Sequence, residues 1–197
     1  NVEVVNKLFH HNKLMLSFNP NNIFFISEQI GYVDESLFVN VNKKVRFPTW
    51  QMSSAVGMIH ASVLVKLDSI PCQNNLDYYL SSIAKLAMPQ GLLCYSEPRL
   101  LVDQNDSKEL TASMFTLFRF VKQHYKTRWV FLLFLNLLWH EKKLPIFPFF
   151  LSLFYKRRVA SKINLEDIKV VSNENVVQQK TIDVIIPTIG REKYLHD

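Results

Sequence analysis

The most apolar run in the chain, WVFLLFLNLLW at residues 129–139, limits what this chain can fold into. It reads as a helix, but a membrane-spanning helix needs about 20 apolar residues, and this run is 11 residues long and closed by the charges of residues 140–143. A second run, LPIFPFFLSLFYKRR at 144–158, is interrupted by Pro145 and Pro148. Neither run makes a simple span. The expectation is a set of helices that pack on a domain or lie in a membrane interface with aromatic and basic flanks. A re-entrant hairpin is the remaining alternative.

Charge sharpens this picture. The net charge is +6, but residues 119–162 carry ten Lys/Arg against one acid, Glu141. Residues 1–100 are nearly balanced, with eight Lys/Arg and seven Asp/Glu. The basic character therefore belongs to one segment. Anionic lipid would attract such a segment, and a solvated basic face over a buried helix is the plain alternative. With 48% hydrophobic residues the chain is not of disordered composition. Its two cysteines, Cys72 and Cys94, form no metal-like cluster and read as reduced thiols.

Along the chain, LMLSF (14–18) and NIFFISEQI (22–30) suit buried strands, with turn chemistry at Asn19-Pro20-Asn21-Asn22 between them. Residues 33–47 read as a hairpin or an irregular connection. PTWQMSSAVGMIHASVLVKL (48–67) starts as a loop, becomes a strand containing Gly57, and ends in a short helix or turn. NNLDYYLSSIAKLAM (74–88) has helical spacing, with Leu76, Tyr79, Leu80, Ile83 and Leu86 on one face. Asn75 is its expected N-cap, and Pro89-Gln90-Gly91 its stop. LLCYSEPRLLV (92–102) reads as a strand. A helix is expected from about Lys108 to Lys126, capped by Ser107, and residues 159–180 read as a polar linker. TIDVIIPT (181–188) is a further strand, with a new helix starting near Arg191.

That last stretch, IDVIIPTIGREKYLHD, resembles the opening strand of family 2 glycosyltransferases of the GT-A fold. Earlier segments carry the same likeness more loosely. WQMSSAVGMIHASVL (50–64) resembles the family's central strand before the acceptor-site helix. NNLDYYLSSIAKLAMPQGLLCYSEPRLL (74–101) resembles the next helix, opened by an Asp and followed by a strand and a Pro-containing loop. FTLFRFVKQHYKTRWVFLLFLNLL (115–138) looks like the family's basic, aromatic tail.

The resemblance implies an α/β fold. Residues 1–106 would be the acceptor-side half of a GT-A-like domain with a partial mixed sheet and flanking helices. Residues 107–160 would be its helical basic and aromatic tail, 161–180 a linker, and 181–197 the first strand and helix start of a second glycosyltransferase domain. The chain would then be a piece of a longer tandem enzyme of surface polysaccharide synthesis, inactive alone. That enzyme would be cytoplasmic and peripheral on the inner face of the plasma membrane. Its partners would be a nucleotide-sugar donor, a glycan or lipid-linked acceptor, and anionic lipid.

The resemblance also assigns residues. Asp77 corresponds to the family's candidate general base, and Asp68 is a weaker rival. As residues alone, a carboxylate at a helix N-terminus reads first as a stabiliser of that helix. Trp50, Ser53, Ser54 and His60 fall on the acceptor side, although Trp50 also suits a buried position and His60 a satisfied strand-edge histidine. Ser53 and Ser54 lack the Gly-x-Ser-x-Gly setting of a hydrolase nucleophile. Pro187, Thr188 and Arg191 would line the donor's nucleotide in the second domain, where Ile189-Gly190 departs from the family's usual aromatic and Asn. Mg²⁺ or Mn²⁺ is implied as cofactor, but the family's Asp-x-Asp pair occurs nowhere in this sequence, so its ligands are expected outside it.

Two other classes compete. A non-catalytic module would dock a catalytic neighbour to a membrane or partner through residues 119–162. A nucleic-acid binder would stack bases on Phe118, Phe120, Tyr125 and Trp129. Those aromatics fit a helix core equally well and no nucleic-acid motif is present, so no nucleic acid is expected as partner.

Overall fold

The apolar runs nearest the start of the chain assemble into one mixed sheet. The computed structural model describes residues 7–21, 23–26, 28–34, 41–67, 70, 75–101, 111–159 and 163–171. Strand β1 is Leu14–Phe18, β2 Phe47–Pro48, β3 Val56–Ile59 and β4 Leu93–Ser96. Their order is β2-β4-β1-β3. β1 runs parallel to β4 and antiparallel to β3, and β2 runs antiparallel to β4. The central β1 is buried at all five positions, which is why LMLSF shows no alternation. On β3, Gly57 lies opposite Ser17, and a Cβ there would stand 3.0 Å from the Leu16 carbonyl oxygen. A side chain at that position would push the two strands apart.

Short helices join the strands. α1 (Gly31–Asp34) follows a 3₁₀ turn at Glu28–Ile30, and α2 (Ala61–Lys66) follows β3. Of the stretch 22–30, expected as a strand, the described residues 23–26 and 28–30 form none. Asn19 turns the chain by accepting from Asn21 N–H (3.1 Å), and Ile26 and Ile30 drop into a helical core instead of a sheet.

Helix α3 (Leu76–Ala87) starts and stops as its sequence says. Asn75 accepts from Tyr78 N–H at 2.8 Å, and Gly91 takes a left-handed φ of 91° just beyond the final turn. Its buried face is wider than the apolar spacing implies. Ile83 and Leu86 are buried, but Leu76 is exposed, and Asp77, Tyr78, Ser81 and Ser82 are buried. The cause is tertiary, because α3 is covered on two sides: the sheet takes one and a helical layer the other.

That layer is α4 (Met114–His124), α5 (Arg128–Trp139) and α6 (Ile146–Leu153). The cap of α4 is Ser113, whose hydroxyl accepts from Thr116 N–H at 3.3 Å. This helix starts at Met114, and both Ser107 and Lys108, where a start was expected, lie outside the described residues. Pro148 does not break the second apolar run. It sits in the first turn of α6, where its missing N–H has no intrahelical partner to lose.

Two of the three apolar clusters among the described residues flank α3. One lies between sheet and α3, around Met52, Val63, Ile83 and Leu92. The other joins Tyr78 to Phe118, Phe120, Val130, Leu133 and Phe149. Trp50 packs against both. Part of the polar stretch read as a linker is also built in: Ile163 and Leu165 are buried in the sheet-side cluster, and Asn12 exchanges hydrogen bonds with Lys169 and Val171. The described residues thus form a mixed α/β fold with a four-stranded mixed sheet. Residues 181–197 lie outside them.

Candidate functional site

The loop from Thr49 to Ala55, between β2 and β3, is held almost entirely by serines and one carboxylate. Ser81, in the middle of α3, uses one hydroxyl twice: it accepts from Met52 N–H and donates to the Met52 carbonyl, both at 3.2 Å. Ser17 of β1 accepts from Ser53 N–H at 3.1 Å. Ser53 turns back on the chain and accepts from Ala55 N–H at 3.2 Å. Ser54 then meets Asp77 twice. Its N–H donates to Oδ1 at 2.7 Å and its hydroxyl donates to Oδ2 at 2.8 Å. Asp77 is buried in the first turn of α3, where free backbone N–H groups and the helix dipole favour a negative charge, while Ser54 is exposed.

Beside this clamp lies a cavity of about 200 Å³. Ser17, Ser53 and Ser54 give it a polar side, and Met58, Leu76 and Leu80 an apolar one. The bare backbone of Gly57 also lines it. The volume is below the range of about 300–1,000 Å³ for drug-sized ligands, so it suits one small group with a polar edge and an apolar face.

The structure thus brings Asp77, Ser53 and Ser54 together across 23 residues of sequence. It leaves Trp50 and His60 elsewhere. The Trp50 ring stacks on Phe120 (centroids 5.1 Å apart, planes 15° apart), with Lys85 Nζ 4.9 Å from its centroid. His60 is the cap of α2: its Nδ1 accepts from Ser62 N–H at 3.2 Å, and its ring stacks on Phe9. Asp68, Pro187, Thr188 and Arg191 lie outside the described residues.

Sequence reading missed three members of this region. Ser17 and Ser81 hold the loop, and each had one visible sign, a hydroxyl inside an otherwise apolar strand or helix. Glu97 is the third. Its side chain is fully buried just past the carboxyl end of β4, with Arg99 Nε and Nη2 each 2.8 Å away and Arg46 Nε at 3.9 Å. Burial acts against its charge, yet the hydrogen bonds from the Arg99 side chain and backbone, with the charges of Arg99 and Arg46, hold the carboxyl below its usual range. This is a neutralised structural anion and not a free acid or base. Cys94 is a buried free thiol that burial pushes up to about 12, which removes it as a nucleophile.

Among the described residues no group of three or more His, Cys, Asp or Glu side chains is placed to hold a metal ion. The Mg²⁺ or Mn²⁺ that the family resemblance implies is expected to take its ligands from outside this sequence. Comparison with known proteins gives no relative: no protein-family model matches the chain, no curated protein matches it, and no solved structure matches it.

Proposed function

We propose that this chain carries the acceptor-binding half of a GT-A-type glycosyltransferase, one that moves a sugar from a nucleotide-sugar donor to a glycan or lipid-linked acceptor. The observation that carries this reading is the clamp of Asp77 on Ser54 at the edge of the cavity. A general base must stand within hydrogen-bond reach of the hydroxyl it deprotonates. The Ser54 hydroxyl occupies that place on Oδ2 at 2.8 Å. An acceptor hydroxyl arriving from the cavity would take it over, while Ser54 N–H keeps Oδ1 fixed at 2.7 Å.

The reaction is an inverting displacement. The acceptor oxygen bonds to the sugar's anomeric carbon as the bond from that carbon to the diphosphate oxygen breaks. The acceptor's proton passes to Asp77, and the nucleoside diphosphate leaves with the electron pair. Ser17, Ser53 and Gly57 shape the acceptor cavity, and Ser81 fixes the loop that frames it. A divalent cation, with its ligands outside this sequence, would neutralise the departing diphosphate. Trp50 acts in this scheme by wedging the loop against the helices, and His60 by starting α2.

The test is Asp77→Asn in the full-length gene product, assayed for sugar transfer and, by calorimetry, for donor binding. A side chain that keeps its shape but cannot take a proton should lower turnover by about 10²–10⁴-fold, with donor affinity unchanged. Turnover near that of the parent protein removes Asp77 from the mechanism and with it this reading of the cavity.

A further inference from the structure

We infer that the outer face of α5 and α6 is a docking surface for an anionic lipid bilayer, on which the helical hairpin lies flat. The inference stands on surface geometry and does not depend on the transferase reading. On α5, Val130, Leu133 and Leu137 face inward and are buried. Phe131, Leu135 and Leu138 recur at the same helical spacing on the opposite side and are exposed. On α6, Phe149 is buried, while Phe147, Phe150 and Phe154 point outward. Trp139, Phe147 and Phe154 are 75%, 81% and 85% exposed. Such exposure is far beyond the scattered single apolar residues of an ordinary surface. The two stripes form one patch, because Phe149 touches both Phe131 (centroids 5.1 Å) and Phe150 (5.2 Å).

Charge identifies the occupant. Exposed cations stand at every end of the hairpin: Lys126 and Arg128 at the start of α5, Lys142 and Lys143 between the helices, Lys156 and Arg157 after α6. The one acid of this segment, Glu141, is itself paired with Lys143 at 3.2 Å. An aromatic-rich apolar stripe with cations at its borders matches an anionic interface, where rings enter the headgroup boundary and cations meet phosphates. A second copy of the chain fits poorly, since a two-fold contact through this face would bring the same cations against each other. The geometry also fixes lying over spanning. No helix among the described residues is long and apolar enough to cross a membrane. At 1.5 Å per residue α5 measures about 18 Å against a hydrocarbon core of about 30 Å.

The test uses the full chain and vesicles of phosphatidylcholine with and without phosphatidylglycerol, read by flotation and by tryptophan emission. Binding to the anionic vesicles is expected, weakening as salt rises, with a blue shift that disappears in Trp139→Phe. Phe147→Ser with Phe154→Ser should reduce partitioning by at least about tenfold. Lys156→Gln with Arg157→Gln should reduce it by about fivefold per charge. All four sites are exposed, so circular dichroism should show these variants folded. Three outcomes overturn the proposal. One is a folded chain that binds neither kind of vesicle. Another is anionic binding that the double Phe variant leaves intact, which reduces the surface to a basic patch. The last is a dimer in sedimentation that ignores vesicles and dissociates in the same variant.

Discussion

Single residues in this chain are tuned by what is packed over them. His124 is the clearest case. It sits on Phe120 with ring centroids 4.3 Å apart and shares a hydrogen bond with Ser82 Oγ at 2.9 Å. Burial pushes its imidazole from 6.5 down to about 3, and the nearby charges of Arg158 and Lys85 push the same way. The sign follows directly. Below pH 6.5 the unfolded chain takes up a proton at this histidine and the folded chain does not, so stability is full above 6.5 and declines as the pH falls toward 3. Urea midpoints for His124→Gln should lose much of this decline across that window. Parallel slopes for parent and variant would mean that His124 does not titrate as its burial requires. From sequence His124 was only one more residue of a basic helix. Nothing local marks it, because the polar and charged groups beside it arrive from α3 and from the segment after α6.

At the scale of elements, local chemistry predicts ends better than faces. Asn75 and Gly91 close α3 where residue type alone says they should. The end of α5 is less regular. Lys143 N–H reaches back to the Leu137 carbonyl at 3.1 Å, and to allow this Lys142 adopts a left-handed φ of 54°. A non-glycine residue pays about 1–2 kcal/mol for that conformation, so Lys142→Gly should raise the melting temperature by an amount equivalent to about 1 kcal/mol. A lower melting temperature would show that the lysine side chain supports the turn. The α3 face was legible only in part. Spacing finds Ile83 and Leu86, but it cannot foresee that Tyr78 would be buried through a hydroxyl bond to Gln123 Oε1 at 2.7 Å, or Ser82 through Arg158 Nη1 at 2.6 Å. Burial of polar side chains depends on partners 45 and 76 residues away, which no window of sequence contains.

For the whole molecule, the two apolar clusters that flank α3 meet at that helix and at Trp50, so sheet and helical layer should unfold together. Phe120 is the test. It is fully buried, stacked under Trp50 and edge-on to Tyr78 at 5.4 Å. Phe120→Ala should cost about 3–5 kcal/mol, and the near-ultraviolet aromatic signal and the far-ultraviolet helical signal should be lost in one transition. Two separated transitions would make the helical layer an independent unit. The division between sequence and structure is physical. Apolar spacing, turn residues and caps act over a few positions, so β1, β3, β4, α3 and α5 could be read directly, as could Asp77 at a helix N-terminus. The meeting of Asp77 with Ser54, the third and fourth anchors at Ser17 and Ser81, and the removal of Trp50 into a helix core were settled only by packing. Those contacts depend on the strand order β2-β4-β1-β3 and on α3 being covered from both sides. That order arises from the burial of distant apolar surfaces against one another, and no local pattern encodes it.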